Sequence, residues 1–231
     1  MKNHSTFGEE NRLEKNPTTL NQNLIIHQKG LVEYAESLSA MRVLSRKKHL
    51  DTDQIWLLQH PAVYTRGKLS KADEIRQRLP HPIVDTDRGG KITYHGPGQL
   101  ICYLMIQLPS LQSISPLVKR IDKIIIDCLR SFDIHAESNR KNRGIYVNGR
   151  KIASIGLRIK NNRTYHGFSI NVDTNLSAFD AILPCGLEQE MTQINEHTST
   201  SLQEVMDRCI QSITQNWPNT HIDITKNKSF I

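Results

Sequence analysis

The chain has 231 residues, of which 37% are hydrophobic, and it carries a formal charge of +7. This length can bury one substantial core, since chains usually divide into domains only beyond about 250–300 residues. Residues 1–15 contain no apolar run, and no later segment approaches the roughly 18 consecutive apolar residues of a membrane helix. These features argue against a secreted or membrane protein, and we expect a cytoplasmic location.

The first half of the chain alternates one helical pattern with several short apolar runs. Residues 1–22 are polar and predicted to be disordered, and Leu24 begins the folded part. Apolar residues keep a helical period from Leu31 to Leu44. Strands are expected at Ile55–Leu58, at Val63–Thr65 and at Leu100–Leu108, and the last run is long enough for a buried central strand.

The second half adds two helices and a hairpin. Ser115-Pro116 is a typical helix start, and an apolar face from Leu117 to Phe132 follows it. Residues 144–159 predict a hairpin closed by Asn148-Gly149, and Phe168–Val172 alternates as a strand. Ser201 and Glu204 form a capping box before a last helix.

Helices and strands mix without strict βαβ alternation, so the expected fold class is α/β or α+β with a mixed sheet. We expect one domain over residues 23–217, followed by a tail over residues 218–231.

Four cysteines lie far apart and form no Cys-x-x-Cys pair, which argues against a disulfide framework and a zinc site. Cys102, Cys128 and Cys209 lie in apolar patterns and are interpreted as buried small residues. Cys185 instead lies in the turn sequence Leu-Pro-Cys-Gly-Leu. A cysteine attacks only as a thiolate and needs a cation or a helix N-terminus nearby. Taken alone, Cys185 is equally compatible with a structural role.

Lys151 begins a predicted strand of small and apolar residues. Strand alternation predicts that Lys151, Ala153 and Ile155 share one face of the sheet. A partly desolvated lysine can exchange protons near neutral pH, which suits acid–base catalysis. An exposed lysine at a strand end, with no catalytic role, is the simpler alternative from its position alone.

Residues 88–99 place glycines at both ends of a polar segment that leads into the apolar run after it. Adjacent glycines let backbone amides approach a ligand, and Thr93, Tyr94 and His95 supply polar side chains. His166-Gly167 also combines a polar side chain with a glycine, and we interpret it as a second edge of the same binding site. The histidines lack ligand spacing on one element, so no metal site is predicted.

Four segments in this order resemble the lipoyl(octanoyl) transferases, the lipoate-biosynthesis B family. They are residues 88–99, 150–158, 164–172 and 183–187, and the likeness runs from about Ile55 to Ile194. After Pro-Cys-Gly the family usually continues toward a glycine and a Thr-Ser pair, whereas residues 187–193 read Leu-Glu-Gln-Glu-Met-Thr-Gln here.

The resemblance implies the fold of biotin and lipoate protein ligases and a reaction that opens endogenous lipoate synthesis. Octanoyl would move from octanoyl-acyl carrier protein to a lysine of a lipoyl domain, in 2-oxoacid dehydrogenase complexes and in the glycine cleavage H protein. Exchange between thioesters is nearly energy-neutral, so no nucleotide or other cofactor is implied. The basic charge suits acidic carrier and lipoyl domains. We expect a monomer that binds neither nucleic acid nor membranes.

By the same resemblance, Cys185 is the acyl-thioester nucleophile and Lys151 lowers the pKa of its thiol and shuttles protons. The implied substrate-binding residues form three short segments of the chain. They are Arg88, Gly89, Gly90, Lys91, Ile92, Thr93, Tyr94 and His95, then Ser154, Ile155 and Gly156, and finally Gly167, Phe168 and Ser169.

Two rival functions stay open on sequence grounds. An ATP-dependent lipoate or biotin ligase of the same fold would activate a free acid as an adenylate and would need no cysteine. A non-catalytic module that binds lipoyl domains or nucleic acid would form no covalent species. Transfer activity that depends on ATP would indicate the first rival, and detection of an acyl-enzyme would exclude the second.

Overall fold

A computed structural model describes residues 23–47, 52–139, 141–183 and 190–226. The predicted disordered segment, residues 1–22, lies outside the described residues, as does Cys185. Three α-helices occur in the described parts, at α1 (Tyr34–Arg46), α2 (Ile114–Arg130) and α3 (Leu202–Asn216). None of these helices is long and apolar enough to cross a membrane.

Eight strands form one mixed sheet, in the spatial order β11-β1-β2-β6-β10-β9-β8-β7. In chain order they are β1 (Asn23–Leu31), β2 (Asp53–Gln59), β6 (Gln99–Met105), β7 (Glu137–Asn139), β8 (Gly144–Val147), β9 (Arg150–Lys160), β10 (Arg163–Asn171) and β11 (His221–Lys226). β1 pairs in parallel with β2 and β11, whereas the other neighbours pair antiparallel.

A smaller sheet of three strands has the order β4-β3-β5. These strands are β3 (Val63–Arg66), β4 (Ile83–Asp85) and β5 (Thr93–His95). β3 pairs in parallel with β4 and antiparallel with β5. The mixed sheets confirm the predicted fold class.

The centre of the large sheet is covered on both faces, which explains the nearly continuous apolar runs of β2 and β6. Ile55 and Leu57 of β2 belong to the core cluster that α2 and α3 complete. Trp56 and Leu58 point the other way, into the cluster that α1 covers. Because a strand alternates its side chains between the two faces, an uninterrupted apolar run is needed where both faces are buried.

Most sequence predictions of elements are confirmed, with shifted boundaries. The first helix starts at Tyr34, three residues late, because Leu31 still ends β1 and is exposed. The predicted cap at Ser115 is wrong, since α2 already begins at Ile114. β6 ends at Met105 and not at Leu108. The predicted tail, residues 218–231, contains β11, which pairs with β1 at the edge of the sheet.

The hairpin between β8 and β9 forms as predicted. Asn148 and Gly149 both have positive φ, at 49° and 78°, as the expected two-residue turn requires. The three cysteines in apolar patterns, Cys102, Cys128 and Cys209, are buried as predicted.

The serine half of the predicted capping box begins α3, since the Glu204 backbone N–H donates to Ser201 Oγ at 3.1 Å, whereas the Glu204 carboxylate accepts from Thr200 Oγ1 at 2.8 Å. Replacing Ser201 with alanine leaves this N–H without its side-chain acceptor. We expect the free energy of unfolding to fall by about 1 kcal/mol, seen as a lower midpoint in thermal denaturation. Gln211→Ala, on the exposed face of the same helix, is the control. Equal midpoints for the two variants would contradict a stabilising cap.

Candidate active site

A narrow cavity lies on the α1 side of the large sheet, where residues 88–91 pass in front of β9 and β10. Twelve of the fourteen predicted substrate-binding residues line it. They are Arg88, Gly89, Gly90, Lys91, Thr93, His95, Ser154, Ile155, Gly156, Gly167, Phe168 and Ser169. Three segments that are far apart in sequence therefore meet around one space.

Ile92 and Tyr94 are the two predicted residues that do not line this cavity. Both are buried in a separate cluster with Tyr64 and Phe179. The reason is strand alternation, since Thr93 and His95 face the cavity and their neighbours face away. The structure therefore gives Ile92 and Tyr94 packing positions that hold β5 in place.

Four further residues line the cavity that sequence reasoning did not include. They are Tyr34 on α1, Ile101 and Tyr103 on β6, and His166 on β10. His166 lies in a motif that the sequence did single out, and it stands beside the predicted Gly167. Tyr34, Ile101 and Tyr103 lie in ordinary apolar patterns, so only the tertiary packing places them here.

The segment that carries the two adjacent glycines is fixed by its own arginine. The Arg88 guanidinium donates to the Thr65 backbone oxygen at 2.7 Å, to Thr65 Oγ1 at 2.9 Å and to the Gly89 oxygen at 3.1 Å. The Gly89 backbone N–H donates to Leu157 O on β9 at 3.1 Å. Contrary to the sequence expectation, this glycine amide is therefore used within the protein and is not directed at a ligand.

Asp87 ties the same segment to two other elements. Its carboxylate accepts hydrogen bonds from Tyr165 Oη at 2.7 Å and from His166 Nε2 at 3.1 Å, and Arg42 Nε lies 3.5 Å away. His166 is buried and has a left-handed backbone, with φ of 59°. The hydrogen bond from His166 is the main reason why the pKa of Asp87 is lowered, against the opposing effect of burial.

We expect Asp87→Asn to loosen residues 88–91 and to raise KM for the acyl donor several-fold, with a smaller effect on kcat. An amide is a weaker acceptor than a carboxylate, and hydrogen bonds to charged groups contribute about 1.5–3 kcal/mol. Steady-state kinetics measure the effect. Asp85→Asn is the control, because the Asp85 carboxylate accepts its hydrogen bonds from Arg66 at the surface. An unchanged KM would contradict a positioning role for Asp87.

The same carboxylate makes stability depend on pH. Its folded-state pKa lies below the unfolded value of about 3.9. The stabilisation is therefore complete above pH 3.9 and is lost as the pH falls through the folded pKa. Asp87→Asn removes this contribution. The free energy of unfolding of this variant should therefore fall less steeply than that of the wild type as the pH is lowered below 4.

Two histidines beside the cavity are held neutral. Burial lowers the pKa of His60 to about 4 and that of His95 to about 3. His60 Nδ1 lies 2.6 Å from Val32 O, which can only accept, so Nδ1 carries the hydrogen. His60 Nε2 then accepts from the Tyr103 hydroxyl at 2.7 Å. The cavity therefore contains hydrogen-bonding groups without positive charge on these rings.

A chain of amides fixes the tautomer of His95. The backbone oxygen of Thr192 accepts from Asn171 Nδ2 at 3.0 Å, which orients Asn171 and, through it, Gln99. The oxygen Oε1 of Gln99 then accepts from His95 Nδ1 at 2.7 Å. His95 Nε2 is consequently an acceptor. The Thr192 N–H donates to Lys151 O at 3.0 Å, so the chain ends at the predicted catalytic lysine.

Lys151 is buried, with 1% of its surface exposed. Its predicted face is wrong, because a bulge at Ile152 interrupts the alternation. Lys151 pairs with Tyr146, whereas Ala153 pairs with Ile145, so Lys151 faces away from Ala153. Ile152 and Ala153 both enter the core under α2. The bulge turns the lysine toward the side of the sheet on which Ser154 lines the cavity.

The Lys151 side chain fits where it lies because its neighbour Gly144 has no side chain. A Cβ placed on Gly144 would lie 2.4 Å from Lys151 Cε and 3.1 Å from Nζ. Lys151 Nζ donates to Asn142 O at 3.5 Å and lies 5.7 Å from the centre of the Tyr146 ring. The lysine is thus enclosed but hydrogen-bonded, and Gly144 leaves the space that it occupies.

The predicted nucleophile Cys185 lies outside the described residues, which end at Leu183 and resume at Glu190. Both flanking residues have defined contacts. The Leu183 N–H donates to Glu74 O at 2.7 Å, and Glu74 forms an ion pair with Lys91 at 2.9 Å. The Lys151 N–H donates to Glu190 O at 2.8 Å. Leu183 therefore contacts Glu74, the ion-pair partner of the cavity residue Lys91, and Glu190 contacts Lys151.

No group of three or more histidine, cysteine or acidic side chains suited to holding a metal occurs among the residues that the structure describes. Lys151 lies on the same side of the sheet as the cavity. The titratable side chains that line the cavity are Tyr34, Arg88, Lys91, His95, Tyr103 and His166. Such a site can exchange protons and bind an acyl group, and the described residues offer polar contacts along its length.

Comparison with known proteins agrees with this geometry. The family model described as the lipoyl protein ligase A/B catalytic domain matches residues 33–214. An octanoyltransferase of Aromatoleum aromaticum is 38% identical over 198 residues, covering 79% of this chain and 86% of the relative. An octanoyltransferase of Neisseria gonorrhoeae is 46% identical over 173 residues, covering 74% and 83%.

Solved structures share the fold at low identity. A lipoate-protein ligase A bound with ATP has a TM-score of 0.75 and 16% identity, covering 90% of this chain and 88% of that chain. A lipoate protein ligase of Thermoplasma acidophilum with bound lipoic acid has a TM-score of 0.69 and 14% identity, covering 90% and 89%. Family model, relatives and fold agree, and the chain belongs to the octanoyltransferases of the lipoyl protein ligase A/B catalytic-domain family.

Proposed function

We propose that this enzyme transfers an octanoyl group from octanoyl-acyl carrier protein to a lysine of a lipoyl domain through a thioester on Cys185. The observation that carries the proposal is the position of Lys151. It is a buried amine whose backbone hydrogen-bonds to Glu190, five residues after Cys185 in the chain. Five residues can span at most about 17 Å, so the length of the chain allows Cys185 to approach this region.

The first half-reaction loads the enzyme. The Cys185 thiol gives its proton to Lys151, and the thiolate attacks the thioester carbonyl of the donor. The carbonyl–sulfur bond to the carrier breaks, and the departing thiolate takes the proton back from the Lys151 ammonium. A new thioester on Cys185 replaces the old one, so charge and bond energy are nearly balanced.

The second half-reaction releases the product. The neutral amine of the acceptor lysine attacks the Cys185 thioester, and the bond to sulfur breaks. Lys151 accepts the proton that the amine loses and returns it to the Cys185 sulfur. An amide is more stable than a thioester, so this step runs downhill and makes the overall transfer directional.

The cavity on the Lys151 side of the sheet is proposed to hold the octanoyl chain. Gly156 and Gly167 lie opposite each other on β9 and β10, so neither contributes a side chain that would fill the space. Phe168 and Ile155 supply apolar lining, and each buried methylene contributes about 0.8 kcal/mol. The acceptors are proposed to be the lipoyl domains of 2-oxoacid dehydrogenases and the glycine cleavage H protein.

Intact mass measurement tests the covalent step. Incubation with octanoyl-acyl carrier protein, without ATP, should add the mass of one octanoyl group to the wild-type enzyme and none to Cys185→Ala. The control is Cys128→Ala, which alters a buried cysteine of α2 that packs against α3. This variant should still be acylated. No mass gain in the wild type would refute the thioester mechanism, and octanoylation of a lipoyl domain that requires ATP and free octanoate would favour the ligase alternative.

A further inference from the structure

An exposed basic patch lies beside the narrow cavity. It consists of Lys68, Leu69 and Lys71, which follow β3 in the chain. Leu69 exposes 65% of its surface, more than any other large apolar side chain that the structure describes. Both lysines are exposed, and within the described ranges neither makes an ion pair. A single exposed leucine is ordinary on a protein surface, so the position of the patch decides whether it has a role.

The patch is attached to the wall of the cavity. The Lys68 N–H donates to Arg88 O at 3.1 Å, and the Leu69 N–H donates to Gly90 O at 3.0 Å. Arg88 and Gly90 both line the cavity. Gly67, which precedes the patch, approaches so closely that a Cβ there would lie 2.3 Å from Gly90 O. The backbone of the patch therefore forms an outer layer behind this wall.

The segment after the patch contacts the chain that leads to Cys185. Ile75 and Ile182 form an antiparallel bridge, and the Leu183 N–H donates to Glu74 O at 2.7 Å. Cys185 follows Leu183 by two residues, which span at most about 7 Å. A protein bound at the patch therefore lies close to both the cavity wall and the approach to the proposed nucleophile.

The charge around the patch is positive. Residues 66–78 contain five lysines and arginines but only two carboxylates. Glu74 is buried and paired with Lys91, so Asp73 is the exposed carboxylate of this segment. An excess of exposed cations attracts an acidic partner and raises its rate of encounter.

We propose that the basic patch is the docking surface for the acidic carrier protein that delivers the octanoyl group. The inference rests on the proposed function. A carrier protein presents its thioester at the tip of a long flexible arm, so its own surface binds at a distance from Cys185. The patch meets this condition, because it stands behind the cavity wall and does not line the cavity. Lys68 and Lys71 pair with carboxylates of the carrier, and Leu69 packs on an apolar side chain between them.

The acceptor domain has a different requirement. Its reacting amine lies at the end of one lysine side chain, which is much shorter than the arm of the carrier protein. The lipoyl domain must therefore bind directly over Cys185. A surface that is set back from the reacting atoms favours the donor over the acceptor.

The test compares two donors in the double variant Lys68→Glu/Lys71→Glu. We expect kcat/KM with octanoyl-acyl carrier protein to fall about tenfold or more, because charge reversal repels an acidic partner. With the octanoyl thioester of N-acetylcysteamine, which has no carrier domain, the change should stay within about twofold. The charge-matched control is Lys119→Glu/Arg208→Glu, on the helices α2 and α3 at the other face of the sheet. This control should stay within about twofold of the wild type with both donors.

Binding of the unacylated holo carrier protein, measured by titration, gives a readout that does not depend on turnover. It should weaken about tenfold in the double variant. Leu69→Ser removes the apolar side chain without altering the charge, and it should weaken binding about fivefold. Added salt should weaken carrier binding to the wild type more than binding to the double variant, because salt screens the charges that the variant has lost.

Equal losses with both donors would overturn the assignment, because the patch would then act on catalysis and not on the carrier. A rise in KM for the lipoyl domain, with unchanged carrier kinetics, would also overturn it and would make the patch the docking surface of the acceptor. Carrier binding that is unchanged in both variants would do the same. A wild-type enzyme that binds the carrier through these lysines but transfers no octanoyl would refute the proposed reaction and leave the docking surface in place.

Discussion

Replacing Cys185 with alanine is expected to lower the rate of octanoyl transfer by at least about 10⁴-fold. In covalent catalysis the nucleophile divides one slow step into two faster ones, and its loss removes both. The expectation holds although the donor and acceptor can still bind, because Lys151 and the cavity residues are unchanged. Rates measured by mass spectrometry of a lipoyl domain provide the test.

The matched variant is Cys185→Ser, which keeps a hydroxyl nucleophile of similar size. A hydroxyl is far harder to ionise than a thiol, so this variant should be nearly as slow as the alanine one. Acceptor-domain binding, measured by titration, should match the wild type in both variants. Substantial transfer by Cys185→Ala would mean that the acyl group passes from donor to acceptor without an intermediate on Cys185.

The sequence predicted those features that short-range patterns control. The Asn148-Gly149 turn and the Ser201 cap each depend on a few neighbouring residues, and both appear where expected. The motif residues of the cavity were also found, because each lies in one of four recognisable segments. Alternation along β5 could even have separated Thr93 and His95 from Ile92 and Tyr94, since only the period of a strand is required.

The features that the sequence did not predict arise from contacts across the fold. The bulge at Ile152, which reverses the face of Lys151, appears only in the pairing of β8 with β9. Tyr34 enters the cavity because α1 packs on that face of the sheet, and its apolar pattern looks like that of any amphipathic helix. The hydrogen bonds that join His95 to Thr192 depend on three separate elements.

Lys151→Ala is expected to slow the loading of Cys185 by about 10²–10⁴-fold, the usual contribution of a positioned acid–base group. A nearby cation lowers the pKa of a thiol, so its removal should return the pKa of Cys185 toward about 8.5. Loading should then accelerate with rising pH up to that value, whereas the wild type should already be fast near neutrality. Single-turnover rates with octanoyl-acyl carrier protein, collected across pH, measure both effects.

Two further variants separate the charge of Lys151 from its proton transfer. Lys151→Arg keeps a cation that cannot give up its proton near neutral pH, so Cys185 should stay reactive toward iodoacetamide at pH 7 while octanoyl loading stays slow. Lys160→Ala, at the exposed end of the same strand, should leave both rates unchanged. Identical pH profiles of Cys185 alkylation in the wild type and Lys151→Ala would show that the two groups do not interact, and the mechanism would fail even if transfer were observed.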